Sequence, residues 1–485
     1  MTYIKSNGNQ YGSFGELITA HTTPIIQIAN KYQIDPANLT DTIEIFEDTG
    51  GTADNNGNMF RCQTGTSVGG YGVVRSKESI NYLAGQGVEC KITAAFTTGI
   101  ASSLQFAGLF SLTETLAFGY DGADFSCLHS YNGKAEVQLI TVDSTGAGTC
   151  TVTLDGDAVG ITVTNSDIQT NAEELRAGLF ADATLTGKWR FEQIDDKVFC
   201  ISKSVGNKTG TMSISGGITA NIAEQTAGVT KTDNHIAQAS WNITTAPFSG
   251  FDPTQLNIYR IQFGYLGSAN LIYSIYDPNR GRFVKVHQIE WANVNTTPHL
   301  GSPNLKVGWT AASLGSSGTN LTVTGASAEA DIEGDEIIKN DVHAEENTKS
   351  SIGTTLTNII TIKNRVVYGN LFNLGKIFPV RISFDNDHNK AAVVEIYKNA
   401  TLAGNTNYQY HDQYNSVGAY DTSGTTVTGG SLIDAFTVPA AGDVIIDLTI
   451  LKAELRPDEI LTIAARTVSG TSTNMTATIT WSEEK

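Results

Sequence analysis

The sequence has few charged residues, and acidic side chains outnumber basic ones. Only 16% of its 485 residues are charged, against about a quarter in ordinary soluble domains. Lys and Arg number 31 and Asp and Glu number 49, which gives a formal net charge of -18. Because phosphate contacts need clustered Lys and Arg, this balance argues against nucleic acid as a partner.

Cysteine is scarce and widely spaced. The chain contains Cys62, Cys90, Cys127, Cys150 and Cys200. No two of them form a Cys-x-x-Cys pair, and His129, two residues after Cys127, has no further ligand at metal-site spacing. The odd count and the apolar neighbours favour buried free thiols over disulfides. We predict neither a metal nor another cofactor.

Long apolar runs are missing as well. None approaches the roughly 18 residues that a membrane-spanning helix needs. The first residues, MTYIKSNGNQ, lack the positive segment and apolar stretch of a signal peptide. We therefore expect a protein made in a cytoplasm, without signal-peptide export and without a membrane anchor.

The motifs of common catalytic sites are not found in the sequence. No GxSxG elbow gives a context in which a histidine could act in a Ser-His-Asp triad. Carboxylates such as Glu345 and Glu346 are neighbours in sequence, whereas glycosidase carboxylates face one another across a cleft. We predict that the chain is not an enzyme, and a glycan depolymerase is the less favoured alternative.

Two short loops allow either a turn or a cation site. The loop DNDHNK, residues 385–390, alternates oxygen side chains like the start of a calcium loop, but its sixth residue is Lys390 instead of glycine. The loop TADNNGN places Asp54, Asn56 and Asn58 beside a glycine. A turn is the favoured interpretation of both loops, and a bound cation stays open.

Glycine, hydroxyl-bearing and aromatic residues alternate in the manner of short strands. Residues 58–131 are broken by turns such as Asp121-Gly122, and GTCTVTLDGDAVGITVT predicts a hairpin with its turn at Asp155-Gly156. Asp167 then predicts the start of a helix. Its apolar positions are Ile168, Ala172, Leu175 and Leu179.

These patterns predict a mainly β fold, a jelly-roll-like β-sandwich interrupted by a small α+β insert and followed by a C-terminal β-sandwich. The predicted ranges are an N-terminal arm at 1–50, a split sandwich at 51–133 and 236–345, an insert at 134–235 and the C-terminal sandwich at 350–485. Insertion is expected at a loop tip, where chain ends emerge close together.

Two sets of residues are predicted to contact other molecules. The first is an apolar patch too small to bury itself, predicted to be an assembly contact: Pro24, Ile25, Ile26 and Ile28. The second is an aromatic cluster predicted to stack on glycan or to contact another subunit: Tyr408, Tyr410 and Tyr414.

Several segments resemble a group of structural proteins of tailed bacteriophages and some other large DNA viruses. They are CQTGTSVGGYGVVRSKESINYLAGQGVECKITAAFTTGIASSLQFAGLF, FGYDGADFSCLHSYNGK and LNIYRIQFGYLGSANLIYSIYDPNRGRFVKVHQIEWAN. The segments VVEIYKNATLAGNTNYQY and IIDLTILKAELRPDEILTIAARTV are similar to that group's closing β-sandwich. The resemblance covers most of the chain after about residue 40 and transfers no active-site residue. It implies a component of the virion.

We therefore expect a virion structural protein of the capsid, tail or fibre, which assembles with itself and with other virion proteins. A host-glycan-binding adhesion protein is the alternative.

Overall fold

The computed structural model confirms the predicted fold class, a mainly β protein with sandwiches and a small helical insert. It describes residues 22–30, 42–80, 84–164, 166–264, 266–315, 318–334, 341–387, 390–404, 406–451, 453–470 and 473–485. The chain divides into two compact units. Unit 1 comprises Met1–Lys134 and Thr230–Ile337, and unit 2 comprises Ala135–Val229 and Ile338–Lys485.

The elements are as follows in chain order. The first part of unit 1 contains β1 (Thr22–Ala29), β2 (Ile43–Asp48), β3 (Thr52–Asn56), β4 (Met59–Gln63), β5 (Tyr71–Ser76), β6 (Gly87–Phe96), β7 (Ser103–Phe110), β8 (Thr115–Asp121) and β9 (Asp124–Tyr131). The insert contains β10 (Ala135–Val142), β11 (Gly148–Leu154), β12 (Asp157–Val163), α1 (Ile168–Ala181), α2 (Ala183–Lys188), β13 (Trp189–Ile194), β14 (Lys197–Val205), β15 (Ser213–Ser215) and β16 (Ala220–Thr226).

The second part of unit 1 contains β17 (Thr232–Asp233), β18 (Ile236–Ala237), a short 3-10 helix (Gln238–Ser240), β19 (Asn257–Gly264), β20 (Leu271–Asp277), β21 (Arg282–Ile289), β22 (Lys306–Ser313), β23 (Thr322–Gly325) and β24 (Ser327–Glu333). The C-terminal region contains β25 (Asp341–Ile352), β26 (Thr357–Asn364), β27 (Val367–Tyr368), β28 (Leu371–Phe372), β29 (Lys376–Asn386), β30 (Ala392–Lys398), β31 (Thr401–Leu402), β32 (Gln409–Tyr410), β33 (Gly418–Asp421), β34 (Val427–Thr428), β35 (Ser431–Val438), β36 (Gly442–Asp447), a 3-10 helix (Thr449–Leu451), β37 (Ile460–Thr467) and β38 (Thr473–Glu484).

Unit 1 is built from two antiparallel sheets that share one core. The first has the order β21-β20-β19-β6-β23-β4-β3, with β24 also pairing with β6 and β1 pairing with β24. The second has the order β17-β9-β8-β7-β22-β5-β2, with β18 also pairing with β9. Large side chains from both sheets, among them Tyr259, Phe118 and Trp309, are fully buried in this core.

The predicted assembly contact of Pro24, Ile25, Ile26 and Ile28 needs correction. These residues lie in β1, which pairs along its length with β24. Ile26 and Ile28 are 2% and 5% exposed in the core of unit 1, Ile25 is half-buried, and Pro24 alone is exposed. The apolar run is therefore part of the sandwich. Residues 1–21 and 31–41 of the predicted arm lie outside the described residues.

The insert follows the local signals of its sequence. Asp155 and Gly156 both have positive φ values, 52° and 83°, as a two-residue hairpin turn requires. Helix α1 begins after Asp167, whose carboxylate accepts a 2.7 Å hydrogen bond from the Thr170 amide. The predicted hairpin and helix are confirmed.

The unit boundaries differ from the predicted domain ranges at three points. The chain returns to unit 1 before residue 236, because Thr232–Asp233 already pairs with β9. Residues 341–345, predicted to belong to the split sandwich, are part of strand β25 of the C-terminal sandwich. The insert forms one compact unit with the C-terminal region, and its apolar side chains pack against Val366 and Val367.

The C-terminal region of unit 2 is a sandwich of two antiparallel sheets. Their orders are β25-β38-β29-β36 and β32-β33-β26-β37-β30-β35. The five cysteines of the chain are all free and buried, as expected. In the part of the chain that the structure describes, no helix has the length and apolar character to cross a membrane.

Candidate contact surface of the C-terminal sandwich

The three predicted contact tyrosines lie in different environments. Tyr408 is half-buried, with the Lys363 ammonium 5.3 Å from its ring centre. Tyr410 is also half-buried, and the Arg365 guanidinium lies 4.9 Å from its ring centre. Burial raises the pKa of both phenols. Only Tyr414 presents its side chain to solvent, at 78% exposure.

Tyr414 lies at the centre of a tight turn, residues 412–416, which we call the Tyr414 loop. The Asp412 carboxylate accepts hydrogen bonds of 2.9 Å from the amides of Tyr414 and Asn415. Short polar side chains that bond the backbone two or three residues ahead stabilise turns of this kind. These amides lower the pKa of Asp412 to about 2, so its carboxylate is ionised at neutral pH.

The backbone carbonyls of this loop are held by side chains from other elements. The Tyr368 hydroxyl donates a 2.8 Å hydrogen bond to the Tyr414 carbonyl. Arg365 donates to the carbonyls of Gln413, at 3.4 Å, and Ser416. Lys485 donates to the carbonyl of Asn415. Four consecutive carbonyls therefore have fixed donors, and the loop presents Tyr414 from a preorganised backbone.

Arg365 is the buried side chain that bonds this loop. Its side chain is buried, with the guanidinium 5.3 Å from the ring centre of Tyr368 as well as 4.9 Å from that of Tyr410. Cation–π contacts of this kind are stronger where water is excluded. The planar guanidinium can satisfy several carbonyl acceptors from one position. Tyr410 therefore packs on the same guanidinium that bonds the loop carbonyls.

Both ends of the Tyr414 loop are anchored to the sheet β25-β38-β29-β36. At its start, His411 Nδ1 lies 2.7 Å from Glu345 Oε1 and its Nε2 lies 3.1 Å from His343 Nδ1. At its end, the buried Glu483 carboxylate accepts from the Ser416 hydroxyl at 2.5 Å and the Val417 amide at 2.9 Å. Buried polar groups that are satisfied in this way make a structure rigid.

Exposed apolar side chains occur on the segments bonded to the loop. Leu371 pairs opposite Tyr368 in the β27–β28 hairpin and is 50% exposed. Val342 is 66% exposed and follows Asp341, which lies 3.1 Å from the Lys485 ammonium. A rigid, exposed tyrosine with apolar neighbours can bind a partner surface at low entropic cost, because few rotamers are lost.

One residue of each candidate cation loop is engaged within the protein. Asp54 forms a two-point ion pair with Arg61, at 2.7 and 2.6 Å. Asn386 bonds the carbonyls of Lys390 and Pro439, and residues 388–389 of that loop lie outside the described residues. Among the described residues, no three or more His, Cys, Asp or Glu side chains are grouped to hold a metal ion.

Sequence analysis predicts Tyr414 as a contact residue but misses the residues that fix the backbone of its loop. The role of Asp412 could be predicted from the sequence, because an Asp side chain often bonds the backbone amide two residues ahead and so indicates a turn. Arg365, Tyr368 and Lys485 come from distant parts of the chain, and no local pattern links them to the loop.

Comparisons with known proteins give distant likenesses. No protein-family model matches the sequence, and no curated protein matches it. The legume lectin-like domain from Entamoeba histolytica is 11% identical, with a TM-score of 0.25 over 64% of this chain and 98% of that chain. Lectin II from Ulex europaeus is 7% identical, with a TM-score of 0.24 over 64% and 100%. The infectious bursal disease virus Gt strain structure is 9% identical, with a TM-score of 0.13 over 83% and 82%. Likenesses this distant do not bear on function.

Proposed function

We propose that the chain is a structural subunit of a virus particle, which acts by protein–protein contact and not by catalysis. The resemblance of residues 62–110, 118–134, 256–293, 393–410 and 445–468 to virion proteins supports the assignment to a virus particle. The observation that carries the contact is Tyr414, 78% exposed on a loop whose backbone is fixed. Tyrosine is enriched among residues that dominate binding energies at protein interfaces.

The surroundings of Tyr414 fit a protein partner. Interfaces combine an aromatic or apolar centre with a polar rim. Here Leu371, opposite Tyr368 in the β27–β28 hairpin, is exposed, and Lys485, which donates to the Asn415 carbonyl, forms an ion pair with Asp341. A neighbouring virion protein is the partner that we expect, and the particle is the expected location of the chain.

Glycan binding by the same loop is the second candidate. Aromatic rings stack on sugar rings, and amide side chains bond their hydroxyls. Tyr414 lies between Gln413 and Asn415 in the sequence, so this loop has both an aromatic ring and amide side chains.

The test compares Tyr414→Ala with the unchanged chain. Ile450→Ala is the matched control, because Ile450 is an 81% exposed apolar residue in the 3-10 helix Thr449–Leu451 of the same unit. The proposal expects incorporation of the chain into particles to fall for Tyr414→Ala and to stay unchanged for Ile450→Ala. A saturable, Tyr414-dependent response to host surface glycans with normal incorporation would favour the glycan-binding role instead.

A further inference from the structure

A serine, a histidine and an aspartate of unit 1 form one chain of polar contacts. His235 Nε2 lies 3.1 Å from the Ser130 hydroxyl oxygen, and its Nδ1 lies 2.9 Å from Asp121 Oδ2. With the Nδ1 proton donated to the carboxylate, Nε2 is free to accept the hydrogen bond of the Ser130 hydroxyl. This order of contacts activates a serine as a nucleophile, and it is recognised by geometry and not by sequence position.

Two short strands hold His235 against β9. In β17 Asp233 pairs with Ser130, and in β18 Ile236 pairs with Cys127. The register is the same before and after His235, so the alternate residues Asp233 and His235 lie on the same side of the sheet as Ser130. Cys127 belongs to the core of unit 1, three residues from Ser130 along the strand. The serine and the histidine therefore lie on the face of the sheet opposite to the core.

Two carboxylates flank the His235 ring. Besides Asp121 at Nδ1, Asp233 Oδ1 lies 3.6 Å from Nε2, too far for a hydrogen bond but close enough to interact with a charge on the ring. The ring becomes positively charged when it takes the proton of Ser130, and both carboxylates stabilise that charge. This arrangement favours proton transfer from the serine to the histidine.

Lys231 supplies a hydrogen-bond donor beside the serine. Its ammonium donates a 3.4 Å hydrogen bond to the Thr115 hydroxyl, and Thr115 is the partner of Ser130 in the neighbouring strand β8. When a serine attacks a carbonyl group, negative charge develops on the carbonyl oxygen, and a donor held nearby stabilises that charge. The site therefore combines a nucleophile, a base with its orienting carboxylate, and a cationic donor.

Exposure and charge limit which molecules can react with Ser130. The residue is 4% exposed, whereas the side chains of Asp121 and Asp233 are 48% and 59% exposed. A large or polymeric substrate cannot reach a hydroxyl that is this deeply placed. Carboxylates at the solvent side repel anions. A small, uncharged ester meets both conditions.

We propose that Ser130 is an acyl-acceptor site that reacts with small, uncharged esters. The Ser130 hydroxyl oxygen bonds the carbonyl carbon of the ester, and its proton passes to His235 Nε2. The bond between that carbon and the alcohol oxygen then breaks, and the alcohol leaves with the proton from His235. Ser130 remains as an acyl ester. This modification adds to the proposed contact of the Tyr414 loop, which uses none of these residues.

The test incubates the full chain with p-nitrophenyl acetate, follows the release of nitrophenolate and locates the acetyl group by peptide mass spectrometry. We expect acetylation of Ser130 ahead of the exposed lysines. His235→Gln should slow acetylation of Ser130 at least about 100-fold, because a positioned general base contributes about 10²–10⁴ to a rate. Ser126→Ala is the matched control and should change nothing, because Ser126 lies on the same face of β9 and donates to the Asp124 carbonyl instead of a histidine.

Asp121→Asn tests the carboxylate without changing the size of a side chain. It removes the charge that stabilises the positively charged ring, and we expect acetylation of Ser130 to slow at least about tenfold. Since Asp121 is half-exposed, this variant decides the question if His235→Gln unfolds. Acetylation of lysines with Ser130 left unmodified overturns the proposal. Acetylation of Ser130 at the same rate in the unchanged chain and in the folded variants overturns it as well.

Discussion

The Tyr368 hydroxyl donates a 2.8 Å hydrogen bond to the carbonyl of Tyr414, so the hairpin β27–β28 fixes the backbone of the exposed tyrosine. Arg365 stacks on Tyr368 and bonds the carbonyls on either side of the same turn. Two side chains of the segment 365–368 therefore hold the loop. The Tyr368 hydroxyl can be removed while its ring is kept, so the rigidity of the loop can be tested by a small change.

Replacing Tyr368 by Phe should loosen the Tyr414 loop while the protein stays folded. The change removes one hydrogen bond, with a net value of about 0.5–1.5 kcal/mol. We expect faster amide hydrogen exchange at residues 412–416, measured by mass spectrometry. Tyr397→Phe, which removes a 2.6 Å bond to Glu395 elsewhere in the sandwich, should leave that exchange unchanged. Equal exchange in Tyr368→Phe and the unchanged chain would show that this bond does not hold the loop.

Replacing Glu192 by Ala should strongly destabilise unit 2. The Glu192 carboxylate is fully buried, accepts bonds of 2.8 Å from the Val366 amide and 3.1 Å from the Val367 amide, and lies 3.3 Å from the Lys363 ammonium. Removing one partner of a buried ion pair costs about 3–5 kcal/mol. Denaturant unfolding should show a loss of this order. Glu224→Ala, at an exposed position of the same insert, should change the free energy of unfolding little.

The contact of the insert with Val366 and Val367 bears on whether the insert is a separable module. Insertion at a loop tip, as predicted from the sequence, implies a module that can be excised, yet Val366 and Val367 are buried against the insert. A chain with residues 135–229 replaced by a short linker should therefore expose apolar surface in unit 2. Increased binding of a hydrophobic dye is the expected readout. Unchanged dye binding and an unchanged unfolding midpoint would indicate a separable module.

Acidification should destabilise unit 1. Burial lowers the pKa of His129 and of His299 to about 4, from a usual value near 6.5. The unfolded chain therefore binds more protons between these values, so stability is complete above pH 6.5 and falls toward pH 4. Each histidine lowers the free energy of unfolding by up to about 3 kcal/mol over this pH range.

Glu114 has the opposite pH dependence. Burial raises its pKa to about 7, so the stability that it contributes falls as the pH rises from about 4.5 to 7.

The measurement is the free energy of unfolding of unit 1 as a function of pH, obtained from amide hydrogen exchange. His129→Gln should flatten the slope between pH 6.5 and 4. His235→Gln is the control, because His235 is bonded to the exposed Asp121 carboxylate at the edge of unit 1. A slope that His129→Gln leaves unchanged would contradict the role of burial.

The sequence predicts those elements whose signals are local. Asp155-Gly156 and Asp167 define the hairpin and the start of α1, because turn geometry and capping depend on neighbouring residues. The predicted ranges assign residues 341–345 to the split sandwich, because the polar side chains of strand β25 lack the apolar alternation that would mark it as a strand of the next domain. Strand β1 was misread as an arm because its partner, β24, lies at the far end of the sequence of unit 1. The supports of the Tyr414 loop are non-local in the same way.

The measurement that tests the central claim most directly is hydroxyl-radical footprinting of Tyr414 in purified virus particles and in the isolated chain. Tyr414 is 78% exposed, so it should react readily in the isolated chain. The account predicts that the chain is found in the particles and that Tyr414 is protected there, while the exposed Ile450 keeps its reactivity. Absence of the chain from the particles, or equal reactivity of Tyr414 in both states, would contradict the account.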